Sequence, residues 1–130
     1  DAKFHVYSDY LTAGGAPAIA YTIGFPKDGT VEVFNEWDDI TWHCGWNTST
    51  LGCSFQGGFE GPNAHQRKAI EWTYRNLEAG TFRPFKGEPA WPPMPTLDTV
   101  HKYVTPTACP GPKGEAFYRS IARVFTSRPR

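Results

Sequence analysis

Ala18-Ile19-Ala20-Tyr21-Thr22-Ile23-Gly24-Phe25-Pro26-Lys27-Asp28-Gly29-Thr30-Val31-Glu32-Val33-Phe34 is the stretch on which the architecture turns. Residues 18–25 are apolar, β-branched or aromatic and read as a buried strand. Lys27-Asp28-Gly29-Thr30 is a hairpin signal, with the glycine supplying positive φ. Val31-Glu32-Val33-Phe34 returns as the partner strand, so 18–34 is a β-hairpin. Side chains alternate along a strand, which places Tyr21 on one face with Ile19 and Ile23. On so apolar a face a tyrosine packs and finds one hydrogen bond. Its functional reading is a phenol aimed at a metal-bound water or an oxyanion.

Outward from the hairpin, Phe4-His5-Val6-Tyr7 reads equally as the tail of a helix or a short strand, and 12–17 is a loop by its Gly and Pro content. Residues 35–40 form a polar connection. Thr41-Trp42-His43-Cys44-Gly45-Trp46 is an aromatic edge segment leading into a loop at Asn47, and 51–57 is a further strand with glycines at its bends. A helix is expected over 64–79. Asn63 is its N-cap, Gln66 completes a capping box, Ile70, Thr73, Tyr74 and Leu77 form the buried stripe, and Gly80 is the C′ residue. Residues 81–96 hold five of the twelve prolines and read as a long ordered loop. A short strand is expected within 97–104. A last helix is expected over 115–126, with Phe117, Ile121, Val124 and Phe125 on one side and Arg119 and Arg123 solvated on the other. The pattern is α/β, a mixed sheet with helices packed on it.

At 130 residues the chain makes one domain, or one domain lacking an end. Thirteen Lys and Arg balance thirteen Asp and Glu, so nothing in the charge demands nucleic acid or an anionic membrane surface. There is no apolar run of about 18 residues for membrane insertion, and the first residues lack the apolar region of a signal peptide. Five Trp, six Tyr and nine Phe among many Gly and Pro suit a surface that stacks on flat ligands such as sugar rings, or simply an aromatic core. The three cysteines, Cys44, Cys53 and Cys109, rule out a purely disulfide framework, although Cys44 and Cys53 could pair.

The chemistry centres on His101-Lys102-Tyr103-Val104-Thr105-Pro106-Thr107-Ala108-Cys109-Pro110. Two prolines stiffen this arc and keep it out of a helix. It aims an imidazole and a thiol eight residues apart, a donor pair that suits zinc. A surface histidine with a buried cysteine is the plainer reading. A third ligand could come from His5, His43, His65 or a carboxylate, and spacing does not choose among them. Thr107 lies on the same arc, where its hydroxyl either touches a site or bonds its own backbone. A thiol hydrolase built on Cys44 with His43, or Cys109 with His101, is the alternative chemistry. Against it, neither cysteine sits at an evident helix N-terminus that would stabilise a thiolate.

Taken in order, these segments resemble the type 2 N-acetylmuramoyl-L-alanine amidases, the zinc amidase family that includes phage endolysins and peptidoglycan recognition proteins. Ala20-Tyr21-Thr22-Ile23 and Lys27-Asp28-Gly29-Thr30-Val31 resemble its Tyr-bearing strand and Asp-Gly hairpin. Trp42-His43-Cys44-Gly45 resembles its "a-H-x-G" segment, and Asn47 with 51–57 its "N…s-I-G-I-x-x-x-G" strand. Gln66 after Pro62 fits "P-T-x-x-Q", and His101…Pro106-Thr107-Ala108-Cys109-Pro110-Gly111 resembles "H-x-x-x-x-x-T-x-C-P-G".

The resemblance implies an α/β fold with a central mixed β-sheet flanked by helices, in a single amidase-like domain over 1–130. It implies His101 and Cys109 as zinc ligands, with Tyr21 and Thr107 flanking the scissile carbonyl. Trp42, His43, Trp46 and Asn47 would line the groove for sugar and stem peptide. The implied activity is zinc-dependent hydrolysis of the amide between N-acetylmuramic acid and L-alanine in peptidoglycan. The alternative is a peptidoglycan-binding module without hydrolysis. Ser54 stands where some members carry a Glu acid/base. The family's first zinc ligand, a histidine on an N-terminal strand, has no counterpart. The alignment matches His5 to another histidine, at the end of the first helix, so the domain is expected to lack that N-terminal strand, unless His5 has taken over as ligand. A phage lysin would be made in the host cytoplasm and then released to the cell wall; an autolysin or recognition protein would be secreted or wall-associated. The sequence assigns no oligomeric state.

Overall fold

The computed structural model describes residues 4–6, 21–39, 51–57, 60–94, 97–98, 110–122 and 124–125. Four strands, β1 (Phe4–Val6), β2 (Ile23–Phe25), β3 (Val31–Val33) and β4 (Cys53–Phe55), form a mixed sheet in the order β1-β3-β2-β4. β2 and β3 are antiparallel, with Ile23 opposite Val33 and Gly24 opposite Glu32, as the hairpin reading requires. Asp28 Oδ1 shapes the turn by accepting from Thr30 N–H at 3.0 Å and from Thr30 Oγ1 at 2.7 Å. β4 runs parallel to β2, and β1 parallel to β3. Residues 4–6 are thus a strand rather than a helix tail. His5 stands opposite Glu32 on the sheet, not at the end of a helix where the family alignment put it.

Helix α1 (Ala64–Ala79) keeps the expected bounds because both ends are capped by residues the sequence displays, the first by a side chain and the last by a glycine backbone. Asn63 Oδ1 accepts from Gln66 N–H, and Gln66 Oε1 accepts from Asn63 N–H, both at 2.9 Å. Gly80 closes the helix in the left-handed region at φ 73°. A Cβ there would also lie 2.7 Å from Pro93 Cγ. The buried stripe comprises Gln66, Ala69, Ile70, Thr73 and Leu77, with Tyr74 only half-buried at its margin.

The core joins the sheet to this stripe. Ile23, Phe25, Val31 and Val33 are at most 1% exposed and meet Ala69, Ile70, Leu77, Phe82, Trp91 and Tyr118. Each such side chain contributes about 1.5–3 kcal/mol by leaving water. The loop after α1 is ordered, as read. Trp91 N–H donates to Phe82 O and Met94 N–H to Leu77 O, both at 2.8 Å, and the Phe82 and Trp91 rings meet edge-to-face at 5.0 Å.

The last helix corrects the sequence reading. Helix α2 spans Gly111–Ile121, and Val124–Phe125 is a strand, β6, paired in parallel with β5 (Leu97–Asp98) in a separate two-stranded sheet. The start moved because Pro112 sits in the first turn, where no N–H is needed. The end moved because Ala122 leaves the helical region at ψ 137°, and Val124 and Phe125 find a strand partner. Arg119, expected to be merely solvated, pairs with Glu115 at 2.9 Å one turn earlier.

Candidate functional site

Among the residues implied as functional, Tyr21 and Ser54 lie within the described structure. Trp42, His43, Trp46, Asn47, His101, Thr107 and Cys109 lie outside the described residues, as does Cys44 and with it the Cys44–Cys53 pairing. Among the described residues no three His, Cys, Asp or Glu side chains are grouped as a metal site would need.

Tyr21 enters β2 through a break in strand regularity. Thr22 N–H and Ile23 N–H both donate to Gly52 O, at 2.8 and 3.1 Å, while Thr22 O accepts from Phe34 N–H at 2.9 Å. A regular strand residue turns its N–H and C=O toward the same neighbour, whereas Thr22 divides them between two. Thr22 is a bend ahead of β2, which begins at Ile23. The strand read over 18–25 is therefore shorter: Tyr21 and Thr22 lie ahead of it, and 18–20 lie outside the described residues. Tyr21 is half-buried while Thr22 is 1% and Ile23 0% exposed.

Asn35 holds the same point from the other side. It is 7% exposed, and its Nδ2 donates to Tyr21 O at 2.9 Å. The sequence places Asn35 in a polar connection, and nothing in the sequence separates a buried asparagine from a loop one. The main chain at Tyr21–Ile23 is thereby tied to Gly52, Phe34 and Asn35.

On the sheet face away from α1, Glu32, Gly24 and Ser54 stand in register across β3, β2 and β4. A Cβ on Gly24 would lie 2.8 and 2.9 Å from two carbons of the Phe34 ring, which would have to shift to admit it. Ser54 is half-buried beside this patch. Just past Asn35, the Glu36 carboxyl is raised to about 7, by burial first, then by its hydrogen bond to Glu88 and the charges of Glu88, Asp38 and Asp39. Apart from these groups, a groove of about 290 Å³ between α1 and α2 is lined by Glu71, Tyr74, Arg75, Glu78, Ser120 and Ile121. It contains none of the residues that the sequence nominates.

Protein-family models and curated proteins give no match to this chain. Solved structures do. Human PGRP-IBETAC in complex with glycosamyl muramyl pentapeptide superposes with a TM-score of 0.67 at 22% identity, over 91% of this chain and 68% of that one. The fold is that of the peptidoglycan recognition proteins. Bumblebee PGRP-SA gives 0.67 at 20% identity over 93% and 68%. The ectodomain complex of PGRP-LCa and PGRP-LCx bound to tracheal cytotoxin gives 0.66 at 20% identity over 92% and 68%. At these identities the likeness establishes the recognition-protein fold, the mixed sheet with flanking helices that the resemblance implied.

Proposed function

We propose that this chain binds peptidoglycan and hydrolyses the amide between N-acetylmuramic acid and L-alanine. The likeness of fold to recognition proteins solved with glycosamyl muramyl pentapeptide and with tracheal cytotoxin carries the ligand class. The hydrolytic part rests on the ordered sequence resemblance. His101 and Cys109 would hold zinc, whose preference for imidazole and thiolate donors they fit. When bound, zinc supplies a Lewis acid for the amide carbonyl. Tyr21 would donate its phenolic hydrogen to the developing oxyanion, with Thr107 as a second donor. Trp42, His43, Trp46 and Asn47 would offer flat and polar groups to sugar and stem peptide.

A second reading is a module that binds muropeptide without cutting it. Ser54, standing where some amidases carry a Glu acid/base, favours it, since a serine hydroxyl is a poor general base. Metal analysis of the purified protein, with turbidity clearing of isolated cell walls, separates the two. Amidase action predicts about one zinc per chain and clearing lost in Cys109→Ser. Muropeptide binding with no clearing by the wild type would sink the amidase and leave the binder.

A further inference from the structure

We infer that Trp37 is a glycan-stacking residue: its indole, held out on a fixed turn past the end of β3, takes the apolar face of an N-acetylated hexosamine ring. This rests on the peptidoglycan-binding reading and not on hydrolysis. Three tryptophans lie among the described residues. Trp72 and Trp91 meet the Phe82 ring edge-to-face, at 6.2 and 5.0 Å, and pack with the core. Trp37 is 43% exposed, and among the described residues no hydrogen bond or ring contact engages its indole. An indole left in water forgoes the burial that tryptophan supplies elsewhere in this chain. Its mount is nevertheless fixed. Glu36 N–H donates to Asp39 Oδ2 at 2.9 Å and Asp39 N–H to Glu36 O at 3.2 Å, which closes a turn around Trp37. Asn35, 7% exposed, anchors the start of that turn through its bond to Tyr21 O. A flat ring on a turn already ordered loses little freedom when it stacks. The surroundings select glycan over stem peptide. Glu36, Asp38 and Asp39 flank Trp37 in the chain, and Glu88 meets Glu36 from the loop after α1. Carboxylates accept from sugar hydroxyls and repel a stem peptide that carries carboxylates of its own.

The test uses protein labelled with ¹⁵N at its tryptophan indoles, with the Trp37 signal assigned by its loss in Trp37→Phe. Titration with an N-acetylglucosamine tetramer, which offers sugar and no peptide, is expected to move the Trp37 signal and leave those of Trp72 and Trp91 in place. Trp37→Ala should weaken tetramer binding about tenfold, and Trp37→Tyr, which keeps a flat ring with a polar edge, should restore most of it. Because Trp37 is exposed, both variants should fold, and an unchanged urea midpoint checks this. A Trp37 signal unmoved by the tetramer, or Trp37→Ala binding it as the wild type does, overturns the inference. A signal that answers free stem peptide instead of the tetramer overturns the assignment to glycan. The peptidoglycan reading fails separately, when the wild type binds neither muropeptide nor cell walls. Wild type that binds muropeptide with the Trp37 signal unmoved removes only this residue's role.

Discussion

Gln66, a residue 1% exposed, spends its whole side-chain amide on tying three elements together at Phe25. Its Nε2 donates to Phe25 O at 2.9 Å and to Gln56 O at 2.7 Å, while its Oε1 completes the capping box of α1. One side chain therefore fixes the ends of β2 and β4 against the start of the helix. Replacing it with Leu keeps the volume but removes the Gln66 partner of Gln56 O and of the Asn63 N–H, and leaves Phe25 O to the Gln56 N–H alone. The expected cost is about 2–4 kcal/mol, read as a lower urea midpoint at unchanged slope. A loss under about 0.5 kcal/mol would show that water takes over these bonds.

Gly80 ends α1 where the chain turns back under Pro93. Gly80→Ala meets both the positive φ and a proline ring that cannot rotate away. The substitution is expected to destabilise by about 2 kcal/mol. Gly87, also at positive φ (83°) but with nothing near its Cβ position, should cost only the conformational part, about 1 kcal/mol. Comparing the two by thermal unfolding isolates the Pro93 contact.

Tyr21→Phe tests the phenol alone. If the chain is the amidase proposed above, with Tyr21 as an oxyanion donor, the substitution is expected to lower kcat on peptidoglycan about 10²-fold while muropeptide affinity stays within about twofold. Equal loss in both would make Tyr21 a binding residue instead.

Glu36 makes stability depend on pH near neutrality. Its folded pKa of about 7 lies above the ordinary 4.5, so the folded state holds the proton more tightly. The stabilisation is complete below about 4.5 and is lost as pH rises through about 7. Glu36→Gln, which keeps a neutral partner for Glu88, should therefore be more stable than wild type at pH 8. Because this carboxyl is partly exposed, the gain is expected to be only on the order of 0.5–1 kcal/mol. The two proteins should converge by pH 4.5, and a difference independent of pH would assign the effect to packing.

By itself the sequence determined the local elements whose signals are covalent or one helical turn long. The Asp28-Gly29 turn with antiparallel Ile23–Val33 pairing, the Asn63 and Gly80 caps, most of the stripe and the described part of the proline-rich loop formed as read, because φ limits, capping donors and side-chain period act within a few residues. Tertiary structure alone decided what depends on partners distant in sequence. Val124 and Phe125 continue the apolar pattern of α2, yet Leu97–Asp98 draws them into a strand. The strand read from Ala18 includes Tyr21 and Thr22, yet β2 begins only at Ile23, with Thr22 N–H turned to Gly52 O and its carbonyl to Phe34 N–H. Asn35 looks like any loop asparagine until the hairpin closes and brings the Tyr21 carbonyl to its amide. Periodicity encodes which way a regular chain faces; where a strand starts and which side chain bonds a distant carbonyl are decided only when remote segments meet, so the Asn35 to Tyr21 bond was legible only in the folded chain.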